Sequence, residues 1–282
     1  MASYRFVFVD VFTDAPLAGN QLAVFTDARE MPEELLQPLA KEIGFAETVY
    51  VYPAGADAHA RMRIFTPSNE LPFAGHPVLG TAFVLGAPLQ LTEIRLETGA
   101  GVVPVVLERE GARIIFGWMQ QPVPQWERFA EADELLDALG VRSTLPVELY
   151  HLGPTHVYVA LEHPEEVAAL APDFARIAAL TGAGVNCFAG SGARWKTRMF
   201  APAHGVVEDA ATGSAAGPLA MHLVRHRRIG FGDEIEISQG AEIGRPSTLY
   251  ARVFGEGERI DRVEVGGSAV VVARGEYRLP SG

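Results

Sequence analysis

The sequence predicts an α+β fold built from two pseudo-symmetric halves, each a mixed β-sheet wrapped around a central apolar helix. The strand-like run 63–67, RIFTP, is answered in the second half by the run 198–202, RMFAP. After each run the chain passes through a polar loop with an acidic residue and enters an apolar helix near a glycine, Gly75 or Gly213. Predicted strands outnumber predicted helices, which favours α+β over a doubly wound parallel sheet.

In the first half, alternating and β-branched segments predict strands. Pro32 is a good first residue for a helix, which Gly44 then ends. A second helix starts at His76-Pro77 and is apolar nearly all round, which predicts that it is buried. The predicted strands of this half cover residues 4–10, 21–25, 45–50, 60–66, 91–96, 102–107 and 113–118.

The second half repeats this plan. Its helices are predicted at 132–139, 164–170, 172–180 and 213–227, and its strands at 157–161, 184–189, 195–200, 234–238, 247–253, 263–265 and 269–273. The run Pro122-Val123-Pro124 marks the boundary, so the halves are predicted as 1–122 and 123–265. A return of 266–282 to the first half is left open. We expect the active site in the cleft between the halves.

Composition limits the classes of function. The 282 residues suit one large domain or two smaller ones, and the net charge of −12 argues against a nucleic-acid partner or an acidic membrane surface. The single cysteine, Cys187, excludes an internal disulfide and a Cys-rich metal site. The first residues lack the pattern of a signal peptide, and no apolar run reaches the length of a membrane helix. We therefore expect a cytoplasmic protein with a small-molecule substrate.

Several common motifs do not occur. The sequence has no glycine-rich dinucleotide or P-loop motif and no nucleophile elbow. His222 and His226 lie four residues apart on a predicted helix, but with three arginines nearby a solvated basic helix end is favoured over a metal site. Cys187 lies in a strand-like apolar run, which favours a small buried residue over a nucleophile. No metal and no cofactor are expected.

Three titratable residues are candidates for the chemistry. Glu47 has apolar neighbours, which would raise its pKa and suit a group that takes and returns a proton; an ordinary edge residue is the alternative. His76 begins a helix, where the dipole favours the neutral ring; a buried structural histidine is the alternative. Asp209 precedes the second helix, where an N-cap is the alternative, and Ser214 could cap as well.

The two helix starts gain meaning when they are taken together. Gly75-His76 and Gly213-Ser214 occupy the same place in the two repeats. A helix start offers unpaired backbone N–H groups and about half a positive charge. Two of them facing one cleft would hold a carboxylate, or the charge that develops when a carbon acid loses a proton. With Glu47, His76 and Asp209 beside them, this describes cofactor-free proton transfer at carbon.

Long runs of sequence also carry a family resemblance. They are FTPSNELPFAGHP at 65–77, MQQP at 119–122, NCFAG at 186–190, GVVEDAATGS at 205–214 and QGAEIGRPS at 239–247. In these runs, and over nearly its whole length, the chain resembles the PhzF family of phenazine-biosynthesis isomerases. That family shares the diaminopimelate-epimerase fold.

The resemblance implies a chemistry and a set of residues. It implies isomerisation of trans-2,3-dihydro-3-hydroxyanthranilate, in which the C3 hydrogen moves to C1 on the same face and the resulting enol becomes an aminoketone precursor of phenazines. It implies Glu47 as the catalytic acid and base, assisted by His76 and Asp209, in a homodimer without a cofactor. The substrate-binding positions predicted with it are Asn20, Gly75, Gly213 and Ser214.

Two departures and two alternatives accompany this hypothesis. Many relatives have serine where this chain has Ala46, which removes a hydroxyl that could contact substrate. The epimerase branch uses two cysteines, so a chain with one excludes that chemistry. An isomerase or epimerase of another small carboxylic acid stays open, as does a non-catalytic protein that binds a small acid. The acidic and histidine candidates argue against the last, because carboxylate binding alone would favour Arg or Lys.

Overall fold

Mixed sheets and six α-helices make up the chain over residues 2–279, which are the residues that the computed structural model describes. Strands pair both parallel and antiparallel, so the predicted α+β class is confirmed. The chain divides into two compact units. One runs up to Gln120 and resumes at Gly266, and the other is Gln121–Val265. Among the described residues, no helix has the length and apolar character needed to cross a bilayer.

The elements follow one another along the chain in a regular order. The first unit contains β1 (Ala2–Val11), β2 (Asn20–Phe25), α1 (Glu33–Ile43), β3 (Glu47–Tyr52), β4 (Ala60–Phe65), β5 (Glu70–Leu71), α2 (Gly75–Leu89), β6 (Glu93–Thr98), β7 (Gly101–Glu110) and β8 (Arg113–Gln121). The second unit continues with β9 (Gln125–Arg128), α3 (Ala132–Leu139), β10 (Glu148–His151), β11 (Thr155–Ala160), α4 (Pro164–Ala168), α5 (Phe174–Leu180), β12 (Gly184–Ser191), β13 (Arg194–Ala201), β14 (Val206–Asp209), α6 (Gly213–Arg225), β15 (Glu234–Gln239), β16 (Ser247–Glu256) and β17 (Arg259–Gly267). The described chain ends in β18 (Ala269–Leu279).

In the first unit, α2 lies in the connection between the parallel strands β4 and β6. β2 and β3 are parallel, and β4 runs antiparallel to β3. The two-residue β5 pairs with β4 just before α2, and β6 then returns parallel to β4. β6, β7 and β8 form an antiparallel meander, while β1 pairs antiparallel with both β2 and β18.

The helix α2 is the central buried element of the first unit, as its apolar sequence predicts. Its contact with the sheet is close at Gly80. A Cβ added there would lie 2.6 Å from Leu22 Cδ2 and 2.8 Å from Val11 Cγ2. Only glycine leaves room for the helix to approach β1 and β2 this closely, so Gly80 sets the distance between α2 and these strands.

The second unit repeats the same succession of pairings. β11 and β12 are parallel, β13 runs antiparallel to β12, and the short β14 pairs with β13 just before α6. β15 then returns parallel to β13 and pairs antiparallel with β16. Because each step has its counterpart in the first unit, the predicted internal repeat is confirmed. The helix α6 is buried over nearly its whole length, as predicted.

The differences from the predicted elements have simple causes. The strands β5, β9, β10 and β14 were missed because two to four residues are too few for an alternating pattern to be recognised. β18 extends to Leu279 rather than ending at residue 273, because its last residues continue the antiparallel pairing with β1. α3 begins and ends where the sequence predicts, closed by Gly140 in the left-handed conformation.

Candidate active site

The first unit gathers three predicted site residues at one end of its parallel strand pair. Asn20 is the first residue of β2 and Glu47 the first residue of β3, and Leu22 is the ladder partner of Glu47. His76 is the second residue of α2. Its Nε2 lies 3.1 Å from Glu47 Oε2, and its Nδ1 lies 3.3 Å from Asn20 Nδ2. Asn20, Glu47 and His76 therefore form one cluster.

The imidazole of His76 is neutral at physiological pH. The residue is only 3% exposed, and burial lowers its pKa to about 3, against a smaller opposing effect of the Gln21 backbone. The neutral ring predicted from the sequence is confirmed. Burial is the largest cause, however, whereas the sequence pointed to the helix dipole.

Glu47 and His76 are close neighbours in this cluster. The two atoms are within hydrogen-bond distance but are not aligned as a formed hydrogen bond, which is common for catalytic groups before a substrate binds. The Glu47 side chain is 15% exposed, whereas that of His76 is 4% exposed. A carboxylate here accepts from an Nε2–H, and a carboxylic acid donates to a bare Nε2. The role of Glu47 in proton transfer stays a prediction.

Within the part of the chain that the structure describes, no side chain caps the start of α2. Gly75 follows Ala74, an extended N-cap residue whose side chain makes no capping hydrogen bond. Among the described residues, the first turn of α2 has no acidic side chain. Backbone N–H groups and the positive end of the helix dipole are therefore offered at Gly75. Its role in binding a substrate stays a prediction.

In the second unit, Asp209 organises the loop that leads into α6. Its Oδ2 accepts a hydrogen bond of 2.7 Å from Thr212 Oγ1, and its backbone carbonyl accepts one of 2.9 Å from Gln239 Nε2. The same Gln239 side chain accepts from the Thr212 backbone N–H at 3.1 Å. The alternative of Asp209 as the N-cap is wrong, because Thr212 holds that place and its side chain does not cap the helix. Asp209 instead accepts a hydrogen bond from the hydroxyl of the N-cap residue, Thr212.

Ser214 lies in the first turn of α6 and has a partner that the sequence did not reveal. Its Oγ is 3.0 Å from His156 Nε2, and Asn186 Nδ2 is 3.3 Å from the other ring nitrogen of His156. Gly213, just before it, accepts a 2.8 Å hydrogen bond at its carbonyl from Gln121 Nε2. The capping alternative for Ser214 is also wrong, since the hydroxyl faces His156. No local signal marks His156, which looks like any residue of an alternating strand.

The other end of α6 corrects the interpretation of His222 and His226. His222 is fully buried, not solvated. Its Nδ1 lies 3.0 Å from Glu148 Oε2, which also receives the Tyr150 hydroxyl at 3.0 Å and Arg225 Nη1 at 2.5 Å. His226 Nε2 stands 3.3 Å from the same oxygen. We call these five residues the Glu148 cluster.

The carboxylate of this cluster already has a positively charged partner, the Arg225 guanidinium. Glu148, His222 and His226 have the atoms that could ligate a metal, within 4.8 Å of one another. The Arg225 guanidinium lies on the Glu148 carboxylate, however, and stacks 3.2 Å above the Trp126 ring. Burial opposes ionisation, yet the hydrogen bonds from His222 and Arg225 hold the pKa of Glu148 at about 2. The arrangement is that of a buried ion pair.

Cys187 is buried in β12, and burial raises the pKa of its thiol to about 12. A thiol of this kind is not a nucleophile at neutral pH. The prediction that Cys187 serves as a small core residue is confirmed.

Comparison with known proteins identifies the family. The PhzC-PhzF model, described as phenazine biosynthesis-like protein, matches residues 9–275. A Pseudomonas aeruginosa protein named trans-2,3-dihydro-3-hydroxyanthranilate isomerase is 52% identical over 277 residues, covering 98% of this chain and all of its own length. Its Pseudomonas fluorescens namesake is 48% identical with the same coverage. Among solved structures, the Bacillus anthracis phenazine biosynthesis protein of the PhzF family has a TM-score of 0.86 at 25% identity, covering 99% of this chain and 100% of its own. The resemblance seen in the sequence is confirmed, and the chain belongs to the PhzC-PhzF family of phenazine biosynthesis-like proteins.

Proposed function

We propose that this chain is a cofactor-independent isomerase that converts trans-2,3-dihydro-3-hydroxyanthranilate into the aminoketone precursor of phenazines. The observation that carries the proposal is the full-length similarity, at 52% identity, to the Pseudomonas aeruginosa protein named for this isomerisation. The similarity covers 98% of this chain and all of the relative's length, which supports a shared activity. The cluster of Asn20, Glu47 and His76 supports it, because Glu47, which the resemblance implies as the acid and base, lies 3.1 Å from the neutral His76 ring.

In the proposed mechanism Glu47 acts as base and then as acid. Its carboxylate takes the proton from C3, and the electron pair of the broken C–H bond spreads into the ring diene and the C1 carboxylate. Glu47 then returns the proton to C1 on the same face, so that a C3–H bond is exchanged for a C1–H bond. The enol left at C3 becomes the ketone. General acid and base catalysis by a positioned carboxylate typically contributes about 10²–10⁴ in rate.

The other predicted residues bind and orient the substrate. The starts of α2 and α6, at Gly75 and Gly213, offer backbone N–H groups to the carboxylate, where negative charge grows during the reaction. His76 and Asp209 bind the polar substituents of the ring. The neutral state of His76 suits this role, because a neutral ring can donate or accept a hydrogen bond without acting as a permanent charge. That residues of both units act on one substrate molecule is part of the proposal.

The test is turnover of trans-2,3-dihydro-3-hydroxyanthranilate by the wild type and by Glu47→Gln, followed by NMR of the ring protons. Glu42→Gln is the matched control, since Glu42 is an exposed residue of the neighbouring α1. We expect the wild type and the control to consume the substrate, and Glu47→Gln to be slower by at least about a hundredfold. Turnover by Glu47→Gln within tenfold of the wild type would rule out Glu47 as the base.

The two alternatives give different results in the same experiment. An isomerase of another small acid would leave this substrate unchanged and turn over a different member of a panel of cyclic and amino acids. A protein that only binds a small acid would bind the substrate without exchanging its C3 proton with solvent.

We also propose that the protein is a cytoplasmic homodimer with a small-molecule substrate and without a nucleic-acid or membrane partner. The net charge of −12 supports the absence of nucleic-acid binding. Light scattering coupled to size-exclusion chromatography tests the dimer. Full activity after dialysis against a chelator tests the independence from metal.

A further inference from the structure

Three buried side chains form a hydrogen-bonded series that ends at the first turn of α6. Asn186 and His156 lie on the neighbouring parallel strands β12 and β11, and Ser214 lies on the helix. Asn186 is 1% exposed, His156 3% and Ser214 6%. The contacts run in series, from Asn186 Nδ2 to His156 Nδ1 at 3.3 Å and from His156 Nε2 to Ser214 Oγ at 3.0 Å.

The direction of the first hydrogen bond is fixed by backbone carbonyls. Asn186 Nδ2 lies 3.1 Å from the Gly184 carbonyl oxygen and 3.4 Å from that of Val157. Carbonyl oxygens only accept, so the NH₂ side of the amide must face them. The same NH₂ group faces His156, and His156 Nδ1 is therefore the acceptor. Gly184 leaves room for the ring in this position, because a Cβ there would lie 2.9 Å from Nδ1.

The direction of the second hydrogen bond follows from the first. Burial lowers the pKa of His156 to about 3, so its ring is neutral and carries one hydrogen. With Nδ1 an acceptor, that hydrogen is on Nε2 and is donated to Ser214 Oγ. A hydroxyl that accepts from the ring turns its own hydrogen elsewhere. Ser214 then has a hydrogen to donate beside the N–H groups of the α6 start.

We infer that Asn186 and His156 are positioning residues that make Ser214 a hydrogen-bond donor to the carboxylate of the substrate. The inference rests on the proposed function for the identity of that substrate and extends it to residues outside the predicted site. It gives the start of α6 a directed side-chain donor in addition to its backbone.

The same polarity excludes a different role for Ser214. A serine, a histidine and a third orienting residue also make up the nucleophilic triad of hydrolases. In that arrangement the third group accepts from Nδ1–H, which leaves a lone pair on Nε2 to take the serine proton. Here Asn186 donates to Nδ1, so His156 Nε2 has no lone pair for Ser214. The serine is a donor to an anion and not a nucleophile.

Asn186→Asp tests the inference because it should reverse the donor and acceptor roles in both hydrogen bonds. A carboxylate accepts from Nδ1–H, the hydrogen leaves Nε2, and Ser214 donates to the ring instead of to the substrate. We expect KM for trans-2,3-dihydro-3-hydroxyanthranilate to rise about 10- to 100-fold, the range for a lost hydrogen bond to a charged group. Ser214→Ala should do the same, and combining the two substitutions should add little.

Two further variants separate orientation from folding. His156→Gln supplies an N–H donor and should keep KM within about threefold of the wild type, whereas His156→Leu should raise it as Ser214→Ala does. His163→Gln, at an exposed histidine of the same unit, should change nothing. Nitrogen-15 NMR of the histidine rings should find hydrogen on Nε2 of His156 in the wild type and on Nδ1 in Asn186→Asp.

The outcomes distinguish this inference from the proposed function. Hydrogen on Nδ1 of His156 in the wild type, or an unchanged KM in a folded Asn186→Asp protein, would overturn the inference. If the wild type does not turn over the substrate, the proposed function fails, and binding of benzoate as a simple carboxylate replaces KM as the measure. Weaker benzoate binding by Asn186→Asp and Ser214→Ala would then still support the donor role, and equal binding would overturn it.

Discussion

Replacing Glu148 by glutamine removes the charge at the centre of the Glu148 cluster. Its side chain is 4% exposed and receives hydrogen bonds from His222, Tyr150 and Arg225. Glutamine keeps the shape but loses the charge. Its NH₂ group is a donor and cannot accept the hydrogen bonds that His222, Tyr150 and Arg225 donate to the carboxylate. The positive charge of Arg225 then has no partner of opposite sign in the cluster.

The magnitude follows from this burial. Removing one partner of a buried ion pair typically costs 3–5 kcal/mol. Arg225 is 19% exposed and can turn partly toward water, which favours the lower end, about 3 kcal/mol. For a chain of this size, that corresponds to a fall in Tm of about 6–12 °C.

Urea unfolding at pH 7 measures this difference as a change in midpoint at constant slope. The matched control is Glu127→Gln. Glu127 also pairs with a histidine, His151, at 3.0 Å, but both side chains are exposed, at 63% and 41%. An exposed pair contributes about 0–1 kcal/mol, so the control should unfold close to the wild type.

Lowering the pH should reduce the difference between the wild type and Glu148→Gln. The folded pKa of Glu148 is held at about 2, below its ordinary value of 4.5, so its ionised form stabilises the fold above the ordinary value. That contribution is lost as the pH falls from about 4.5 toward 2. A Glu148→Gln protein that unfolds within 0.5 kcal/mol of the wild type at pH 7 would refute the role assigned to this cluster.

Two further predictions concern packing and the buried histidines. Gly80→Ala should destabilise the fold by about 1–3 kcal/mol, because the new methyl group would overlap Leu22, while Gly55→Ala, where a Cβ meets no atom within 4 Å, should be neutral in the same denaturation assay. His76 and His156 stay neutral when folded, with pKa values near 3, so only the unfolded chain takes up their protons below about pH 6.5. Each should lower the free energy of unfolding by about 1 kcal/mol between pH 7 and 5.5, and His156→Gln should remove its share of that fall; an equal fall in the variant would contradict the neutral state.

The repeat and most of its elements could be predicted because their signals are local. The runs before Gly75 and Gly213 carry the same strand, loop and helix pattern, and the caps at Gly44 and Gly140 lie where the apolar periodicity stops. The short strands lack such a pattern. They form because neighbouring strands provide hydrogen-bond partners, as β10 does for the four residues of β9.

The candidate site was predictable only in part for the same reason. Glu47, His76 and Asp209 stand beside local signals, a helix cap or a helix start. His156 and Asn186 do not. His156 contacts Ser214 from 58 positions away, and Asn186 contacts His156 from 30 positions away. His222 was misjudged because the arginines around it suggested solvent, while its partner Glu148 is 74 positions away.

In the proposed reaction, Glu47 carries the hydrogen of C3 to C1 of one substrate molecule. The most direct test uses trans-2,3-dihydro-3-hydroxyanthranilate with deuterium at C3, in ordinary water, and measures deuterium at C1 of the product. We predict that the wild type places deuterium at C1, diluted only by exchange of Glu47 with solvent, and that Glu47→Gln leaves the label at C3. Loss of the C3 label by Glu47→Gln at the wild-type rate, or a label that the wild type leaves at C3, would show that Glu47 does not carry this hydrogen.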